Sequence, residues 1–184
     1  MAKLIYATPT SLDGYIADDG NFEWSAPDDE VFAFISDVLH PIGTYLYGRR
    51  TYETMAVWET PDVIPGLKPL MRDFARIWQE AGKIVYSRSL VATPKSRLER
   101  EFDALAVRDL KAQSHHDVSV GGPTLAAHAI RAGLVDEYHL FVVPVIRGGG
   151  KRVLPGGVSV KLDLLEERRF ANGWSVFTIG SGPD

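Results

Sequence analysis

The chain has 184 residues, of which 45% are hydrophobic and 24% are charged, and its net charge at pH 7 is −4. This composition excludes a disordered or low-complexity protein and leaves no basic surplus for nucleic acid, so we expect one globular domain over residues 1–184. Cysteine is absent, which excludes disulfides, catalytic thiolates and cysteine-ligated metals. No apolar run reaches the roughly 18 residues that span a bilayer, and we expect a cytoplasmic protein that does not bind membranes.

The first half of the chain predicts alternating strands and helices. Lys3–Ala7 is typical of a buried strand, and the loop Ser11–Asn21 follows it. Acidic residues after Pro27 favour a helix start, and apolar residues at positions 31, 34, 35, 38 and 39 carry this helix towards Pro41. The next predicted elements are a strand at Tyr45–Tyr47, a helix at Tyr52–Trp58, a helix at Leu70–Gln79 and a strand at Lys83–Tyr86.

The second half ends in strands alone. A strand at 98–102 and a helix at 104–112 are predicted first, and then a strand at Asp117–Val120 and a helix at Pro123–Ala132 that stops at Gly133. The last predicted strands are Val135–Ile146, Val160–Arg169 and Trp174–Ile179, the last two joined by a turn at 171–173. This order predicts an α/β fold with a mostly parallel sheet, flanking helices and a C-terminal antiparallel hairpin.

Three predicted strand-to-helix corners could bind an anion: Gly48–Thr51, Ser87–Ser89 and Gly121–Thr124. In a parallel sheet such corners lie at the carboxyl edge, where ligands bind. Glycine allows close approach of the backbone, a helix N-terminus attracts phosphate, and the arginines of the first two corners add positive charge. Any of the three could also be an ordinary turn, and the missing G-x-G-x-x-G fingerprint argues against an ordinary Rossmann dehydrogenase.

Other chemical signals are weak. The pair His115-His116 has no third ligand at metal-binding spacing, so no metal site is predicted. Ser11 lacks the G-x-S-x-G context of a hydrolase nucleophile. By default the four tryptophans are expected in the core. They are Trp24, Trp58, Trp78 and Trp174.

Five motifs in order resemble the dihydrofolate reductase-like superfamily, and above all the reductase domain of the bacterial riboflavin-biosynthesis deaminase/reductase. They are Ser11–Ala17, Leu46–Glu53, Val118–Leu125, Gly133–Glu137 and Pro144-Val145. The resemblance extends from about Lys3 to Ile179. It implies NADPH as the cofactor and hydride transfer to a pteridine or a ribosylamino-pyrimidine. It also implies a homodimer that pairs through its sheet-edge and C-terminal strands, and the long apolar segment Val135–Ile146 is the candidate edge.

The resemblance assigns a set of candidate cofactor-binding residues. The nicotinamide would lie beside Ala7, Ile16 and Ala17. Gly48, Arg49 and Thr51 would approach the phosphates, and Arg49, Ser87 and Arg88 would bind the 2′-phosphate of the adenosine. Gly121, Gly122, Thr124 and Leu125 would cover the diphosphate at a helix N-terminus.

Asp29 is the candidate catalytic residue. Dihydrofolate reductases carry a carboxylate five residues after a tryptophan, and Trp24 and Asp29 keep this spacing. Asp29, or a water it holds, is the candidate proton source, and Trp24, Phe32 and Trp58 are candidate substrate contacts. The alternative is that Asp28 and Asp29 only favour the start of the helix.

Two other functions remain open. A nucleotide- or pterin-binding module without efficient turnover would keep the cofactor cleft and lack a competent acid. Tyr52–Met55 indeed lacks the aspartate that the riboflavin branch carries there. A transferase would need a metal-binding pair of carboxylates at a strand end, and none is convincingly placed. If the protein is a reductase, the loop Ser11–Asn21 is the candidate lid that excludes water from the site.

Overall fold

The computed structural model describes residues 1–17, 23–91, 93 and 95–180. Its strands are β1 (Leu4–Ser11), β2 (Ile42–Gly48), β3 (Gly82–Tyr86), β4 (Arg97–Glu99), β5 (Asp117–Gly121), β6 (Glu137–Val143), β7 (Asp163–Arg169) and β8 (Ser175–Gly180). Its α-helices are α1 (Asp29–Leu39), α2 (Arg49–Met55), α3 (Pro69–Glu80), α4 (Ala104–Gln113) and α5 (Pro123–Arg131). None of the helices in these residues combines the length and the apolar character needed to cross a membrane.

Within the described residues, the eight strands form one sheet in the order β4-β3-β2-β5-β1-β6-β8-β7. Neighbouring strands from β4 to β6 run parallel, and β8 pairs antiparallel with both β6 and β7. This is the predicted α/β fold with its C-terminal antiparallel hairpin, and it is confirmed. The parallel part brings the carboxyl ends of β1, β2, β3 and β5 to one edge, where ligands bind in such sheets.

Successive residues of β1 show how the sheet divides the core. Leu4 and Tyr6 pack on one face with residues of α4 and α5, whereas Ile5 packs on the other face with Phe74 and Trp78 of α3. Side chains that alternate across a strand in this way stabilise both layers, at about 1.5–3 kcal/mol for each large apolar group that is buried. A third apolar cluster joins α1 to β6 and β8.

The start of α1 separates the roles of two neighbouring aspartates. Asp28 is the N-cap, and its Oδ1 accepts a hydrogen bond from the backbone N–H of Val31 at 3.0 Å. Such a cap satisfies one of the free N–H groups of the first turn. The helix-starting role that the sequence allowed for both residues is therefore filled by Asp28, and the carboxylate of Asp29 does not act as the cap.

Strand β1 runs four residues beyond the predicted end at Ala7. Its register with β5 covers Leu4 and Ile5, whereas its register with β6 continues to Ser11. Pro9 therefore lies where β1 pairs on one side alone, and a proline is tolerated in such a position because fewer ladder hydrogen bonds need its missing N–H.

The prediction that Val135–Ile146 is an edge strand is wrong. Strand β6 lies inside the sheet, between β1 and β8, and its apolar sequence is explained by burial on both faces. The edge strands are β4 and β7, and all seven residues of β7 are exposed. Since β7 carries Glu166, Glu167, Arg168 and Arg169, it is a charged edge of the kind that discourages pairing.

Candidate cofactor and substrate site

Two glycines bring the ends of β2 and β5 into contact. Tyr47 and Gly121 are paired in the register of these strands. A Cβ on Gly121 would lie 2.6 Å from the ring of Tyr47, and a Cβ on Gly122 would lie 2.3 Å from Oγ1 of Thr51. Gly122 also has a φ of +88°, which L side chains rarely adopt. The glycines thus allow the Thr51 hydroxyl to lie against the start of α5.

The N-terminus of α5 offers backbone donors at this place. Pro123 has no N–H, and Gly122 as the N-cap supplies no side-chain hydrogen bond. Thr124 is exposed, whereas the side chain of Leu125 is buried in the core, so Leu125 can contribute to a ligand only through its backbone. Free N–H groups and the positive end of the helix dipole suit a phosphate oxygen at this position.

Arg49 links the corner after β2 to the corner after β3. Its Nε donates to Oε1 of Glu53 at 2.7 Å, and its Nη1 donates to Oγ of Ser89 at 2.9 Å. The side chain is 49% exposed, so Arg49 remains accessible to solvent. The Cβ position of Gly48 meets no atom within 4 Å, and the surface beside Arg49 is open.

Ser87 and Ser89 of the second corner differ in exposure and in hydrogen bonding. Ser87 is only 7% exposed, and its Oγ accepts the backbone N–H groups of Ser89 at 3.3 Å and Leu90 at 3.1 Å. Ser89 instead carries the exposed hydroxyl beside Arg49. Arg88 points away and pairs with Glu101 at 2.8 Å. Ser89 was missed, although the tendency of a serine hydroxyl to bond the amides two and three residues ahead could have indicated it.

The residues predicted to border the nicotinamide lie on two faces of the sheet. Ala7 packs with the cluster that includes Phe32, on the side of α1 and α3. Ile16 packs with the core on the side of α5, and its N–H donates to the carbonyl of Lys151 at 3.0 Å. Ala17, the last described residue before the gap at 18–22, is partly buried.

The structure brings together two of the three predicted substrate contacts. The ring centroids of Phe32 and Trp58 are 6.0 Å apart, and each ring packs edge-on against Phe74, at 5.6 and 4.8 Å. Trp24 belongs to a different cluster, and the guanidinium of Arg147 lies 5.4 Å from its ring. Within the described part of the chain, the buried Nε1 of Trp24 has no hydrogen-bond partner. Trp78 and Trp174 are buried as expected, while Trp24 and Trp58 are only partly buried.

Asp29 lies at the surface, one helical turn before Phe32. Its side chain is 60% exposed, and its Oδ1 is 2.6 Å from Nζ of Lys68. Residues three apart share a helix face, so this ion pair is placed on the side of α1 that carries Phe32. An exposed pair of this kind contributes at most about 1 kcal/mol to stability, and the carboxylate remains accessible to solvent and solutes.

The first part of the predicted lid, residues 11–17, is hydrogen-bonded to the loop after β6. Asp13 accepts hydrogen bonds from the Ser11 hydroxyl at 2.7 Å and from the N–H groups of Arg147 at 3.0 Å and Gly148 at 2.7 Å. These donors, Arg147 first, lower the pKa of the Asp13 carboxyl from 3.8 to about 2, because they stabilise its ionised form. The described residues 11–17 are therefore bound to the loop after β6, and residues 18–22 of the predicted lid lie outside the described part.

We expect the contribution of Asp13 to stability to disappear in acid. A carboxyl whose pKa is lower in the folded protein stabilises the fold above its unfolded pKa of 3.8, and this stabilisation is lost as the pH falls to about 2. Urea unfolding of the wild type and of Asp13→Asn should therefore give a difference in free energy that shrinks between about pH 4 and pH 2. A difference that stays constant over this range would contradict the role of the ionised carboxylate.

An apolar cavity lies away from these residues. It is lined by side chains from α5, β6, β8 and the loop before β7, among them Ile130, Leu140, Leu162 and Ile179. None of the predicted site residues borders it. The candidate site is therefore the open sheet edge around Thr51, Arg49 and Gly122, with the aromatic pair Phe32 and Trp58 on the side of α1.

Comparison with known proteins identifies the family of the chain. Residues 2–176 match the model of the RibD C-terminal domain. The uncharacterized protein YyaP of Bacillus subtilis is 26% identical over 185 residues, covering 93% of this chain and 90% of that protein.

Three solved structures share the fold. A putative riboflavin biosynthesis protein from Shewanella has a TM-score of 0.75 at 20% identity, with both chains covered fully. A pyrimidine reductase-like protein from Corynebacterium diphtheriae has a TM-score of 0.68 at 13% identity, covering 100% of this chain and 93% of that one. A diaminohydroxyphosphoribosylaminopyrimidine deaminase/5-amino-6-(5-phosphoribosylamino)uracil reductase from Thermotoga maritima has a TM-score of 0.67 at 17% identity, covering 98% of this chain and 56% of that one. Because the family model matches nearly the whole length of the chain, the chain belongs to the RibD C-terminal domain family.

Proposed function

We propose that the protein is an NADPH-dependent reductase that transfers hydride to a small heterocycle of the pteridine or ribosylamino-pyrimidine class. The observation that carries the proposal is the meeting of Thr51, Gly122 and the Arg49–Ser89 pair at one sheet edge. Family membership supports it, since the Thermotoga maritima protein with this fold is named as a reductase of a phosphoribosylamino-uracil.

The residues at this edge fit such a cofactor. The start of α5, without a side-chain cap, suits the diphosphate, and the Thr51 hydroxyl beside it adds a donor. The guanidinium of Arg49 and the hydroxyl of Ser89 suit a 2′-phosphate, because they combine charge with several N–H and O–H donors. When bound, NADPH supplies the hydride from its nicotinamide ring. Ala7, Ile16 and Ala17 would border that ring.

On the substrate side, the chain offers an aromatic surface and a carboxylate. Phe32 and Trp58 present adjoining rings that would hold a flat heterocycle and exclude water from one side of it. Asp29 would hold or deliver a proton at its carboxylate, either directly or through a water, and its partner in the structure is Nζ of Lys68. Asp29 and Phe32 lie on the same face of α1, and Trp58 packs beside Phe32.

A binding module without efficient turnover is the second candidate. The observation that favours it is the exposure of Asp29 and its ion pair with Lys68, which together leave the proposed acid largely in solvent. The effect of Asp29→Asn on turnover separates the two candidates.

We expect Arg49→Ala to remove most of the preference for NADPH over NADH. The two cofactors differ by one 2′-phosphate, and a charge-assisted hydrogen bond to it contributes about 1.5–3 kcal/mol. Because Arg49 is half exposed, solvent reduces this effect, and we expect about a tenfold loss of NADPH affinity with little change for NADH. Fluorescence titration with each cofactor at low and high salt measures the effect, and salt should erode the preference.

Two variants serve as controls for Arg49. Arg50→Ala removes the same charge from the next residue and should leave the preference intact. Glu53→Gln removes the carboxylate that competes for the Arg49 guanidinium, so it should strengthen NADPH binding. Equal weakening of both cofactors by Arg49→Ala would mean that the 2′-phosphate binds elsewhere. If neither cofactor binds to the wild type at millimolar concentration, the proposed function is wrong.

We also propose a homodimer in the cytoplasm. With β6 inside the sheet, the homodimer rests on the resemblance to the riboflavin branch alone, and the molar mass in solution decides it. The cytoplasmic location rests on the absence of cysteine from the sequence, which fits a reducing compartment.

A further inference from the structure

Arg100 forms hydrogen bonds with the turn after β3, residues 87–90. Nη1 of Arg100 donates to the backbone carbonyl of Ser87 at 3.0 Å and to that of Leu90 at 2.6 Å. Arg100 follows directly after β4, and the last pairing of β3 with β4 leads into the turn through a hydrogen bond from Ser87 N–H to the Glu99 carbonyl at 2.9 Å. One guanidinium nitrogen thus joins the first and the last carbonyl of residues 87–90.

The side chain of Ser87, the first residue of the turn, also holds the turn through hydrogen bonds. The Ser87 hydroxyl accepts the N–H groups of Ser89 and Leu90, and its burial keeps water from competing for them. With the carbonyls of Ser87 and Leu90 and the amides of Ser89 and Leu90 engaged, the backbone of the turn has little freedom. The Ser89 hydroxyl is then directed at Nη1 of Arg49, 2.9 Å away.

We propose that Arg100 is a positioning residue for cofactor selectivity, which acts by holding the Ser87–Leu90 turn so that Ser89 and Arg49 are prearranged for a 2′-phosphate. This inference rests on the proposed function. Nη1 of Arg100 donates to carbonyls of the turn, and we assign it no contact with the cofactor. Its effect is on conformational entropy, because a turn that is already fixed before binding loses less entropy when the phosphate binds. NADH has no 2′-phosphate for Ser89 and Arg49 to bind, so the fixed turn should strengthen the binding of NADPH alone.

The test compares Arg100→Met with Arg97→Met. Arg97 is the first residue of β4, three residues before Arg100. It is exposed and pairs with Glu99, so its loss removes an equal charge without touching the turn. We expect Arg100→Met to weaken NADPH binding to the cofactor-free protein about five- to tenfold and NADH binding less than twofold, with the loss persisting at high salt. Arg97→Met should change either affinity less than twofold.

A second measurement reports on the turn without any cofactor. Amide hydrogen exchange at Ser89 and Leu90 should be faster in Arg100→Met than in the wild type and unchanged in Arg97→Met. If Arg100→Met does not fold, Arg100→Gln, which keeps the side chain polar but cannot reach both carbonyls, should show the same loss of selectivity and the same faster exchange.

The outcomes separate this inference from the proposed function. A wild type that prefers NADPH, together with an Arg100→Met variant that keeps this preference, would overturn the role of Arg100 alone. An equal loss of NADPH affinity in Arg97→Met would also overturn it, because the positive charge and not the fixed turn would then be responsible. A wild type that binds neither cofactor would overturn both.

Discussion

Gly122→Ala will cost the protein about 3 kcal/mol of stability and most of its affinity for NADPH. The added Cβ would lie 2.3 Å from Oγ1 of Thr51, in a backbone conformation with φ of +88°. The strain of the backbone and the contact with Thr51 add together, and relief of either moves the start of α5 away from the phosphate position. Urea unfolding and NADPH titration of the same variant measure the two effects.

Gly133→Ala is the matched control for the backbone alone. Gly133 also has a positive φ, +63°, but nothing lies within 4 Å of its Cβ position, so alanine there should cost only about 1 kcal/mol. Adding Thr51→Ala to Gly122→Ala removes the oxygen in closest contact and should restore part of the lost stability. If Gly122→Ala and Gly133→Ala lose the same stability, the contact with Thr51 has no energetic role.

Asp29→Asn will reduce turnover about a hundredfold, and the Kd for NADPH will change less than twofold. A group that handles a proton in the transition state contributes about this much to the rate, and Asn has the shape of Asp without its ability to exchange a proton. The measurement is NADPH oxidation with dihydrofolate, dihydropterins and ribosylamino-pyrimidines in turn, together with the titration of NADPH.

Asp28→Asn is the control for Asp29→Asn, since it removes the neighbouring charge while asparagine still caps α1. It should keep nearly full turnover. Unchanged turnover in Asp29→Asn would reduce Asp29 to the surface partner of Lys68 and favour the binding module. A loss of NADPH affinity as large as the loss of turnover would instead place Asp29 at the cofactor.

Local patterns determined the elements and the edge at which the candidate site lies. The acidic start and apolar face of α1, the glycines after β5 and the turn at 171–173 each depend on residues close in the chain, so they could be recognised without the structure. The alternation of strands and helices then required a parallel sheet with its corners at one edge, which predicted the neighbourhood of Thr51, Arg49 and Gly122.

Only the tertiary structure decided which side chains meet. It placed β6 inside the sheet, separated Trp24 from Phe32, and gave Arg49 the hydroxyl of Ser89 instead of Ser87. Strand order follows from which apolar faces pack together. Ser89 lies 40 residues from Arg49 along the chain, and Arg147 lies 134 residues from Asp13. Contacts between residues so far apart leave no periodic trace in a single sequence, because each depends on how the whole sheet and its helices bury their surfaces.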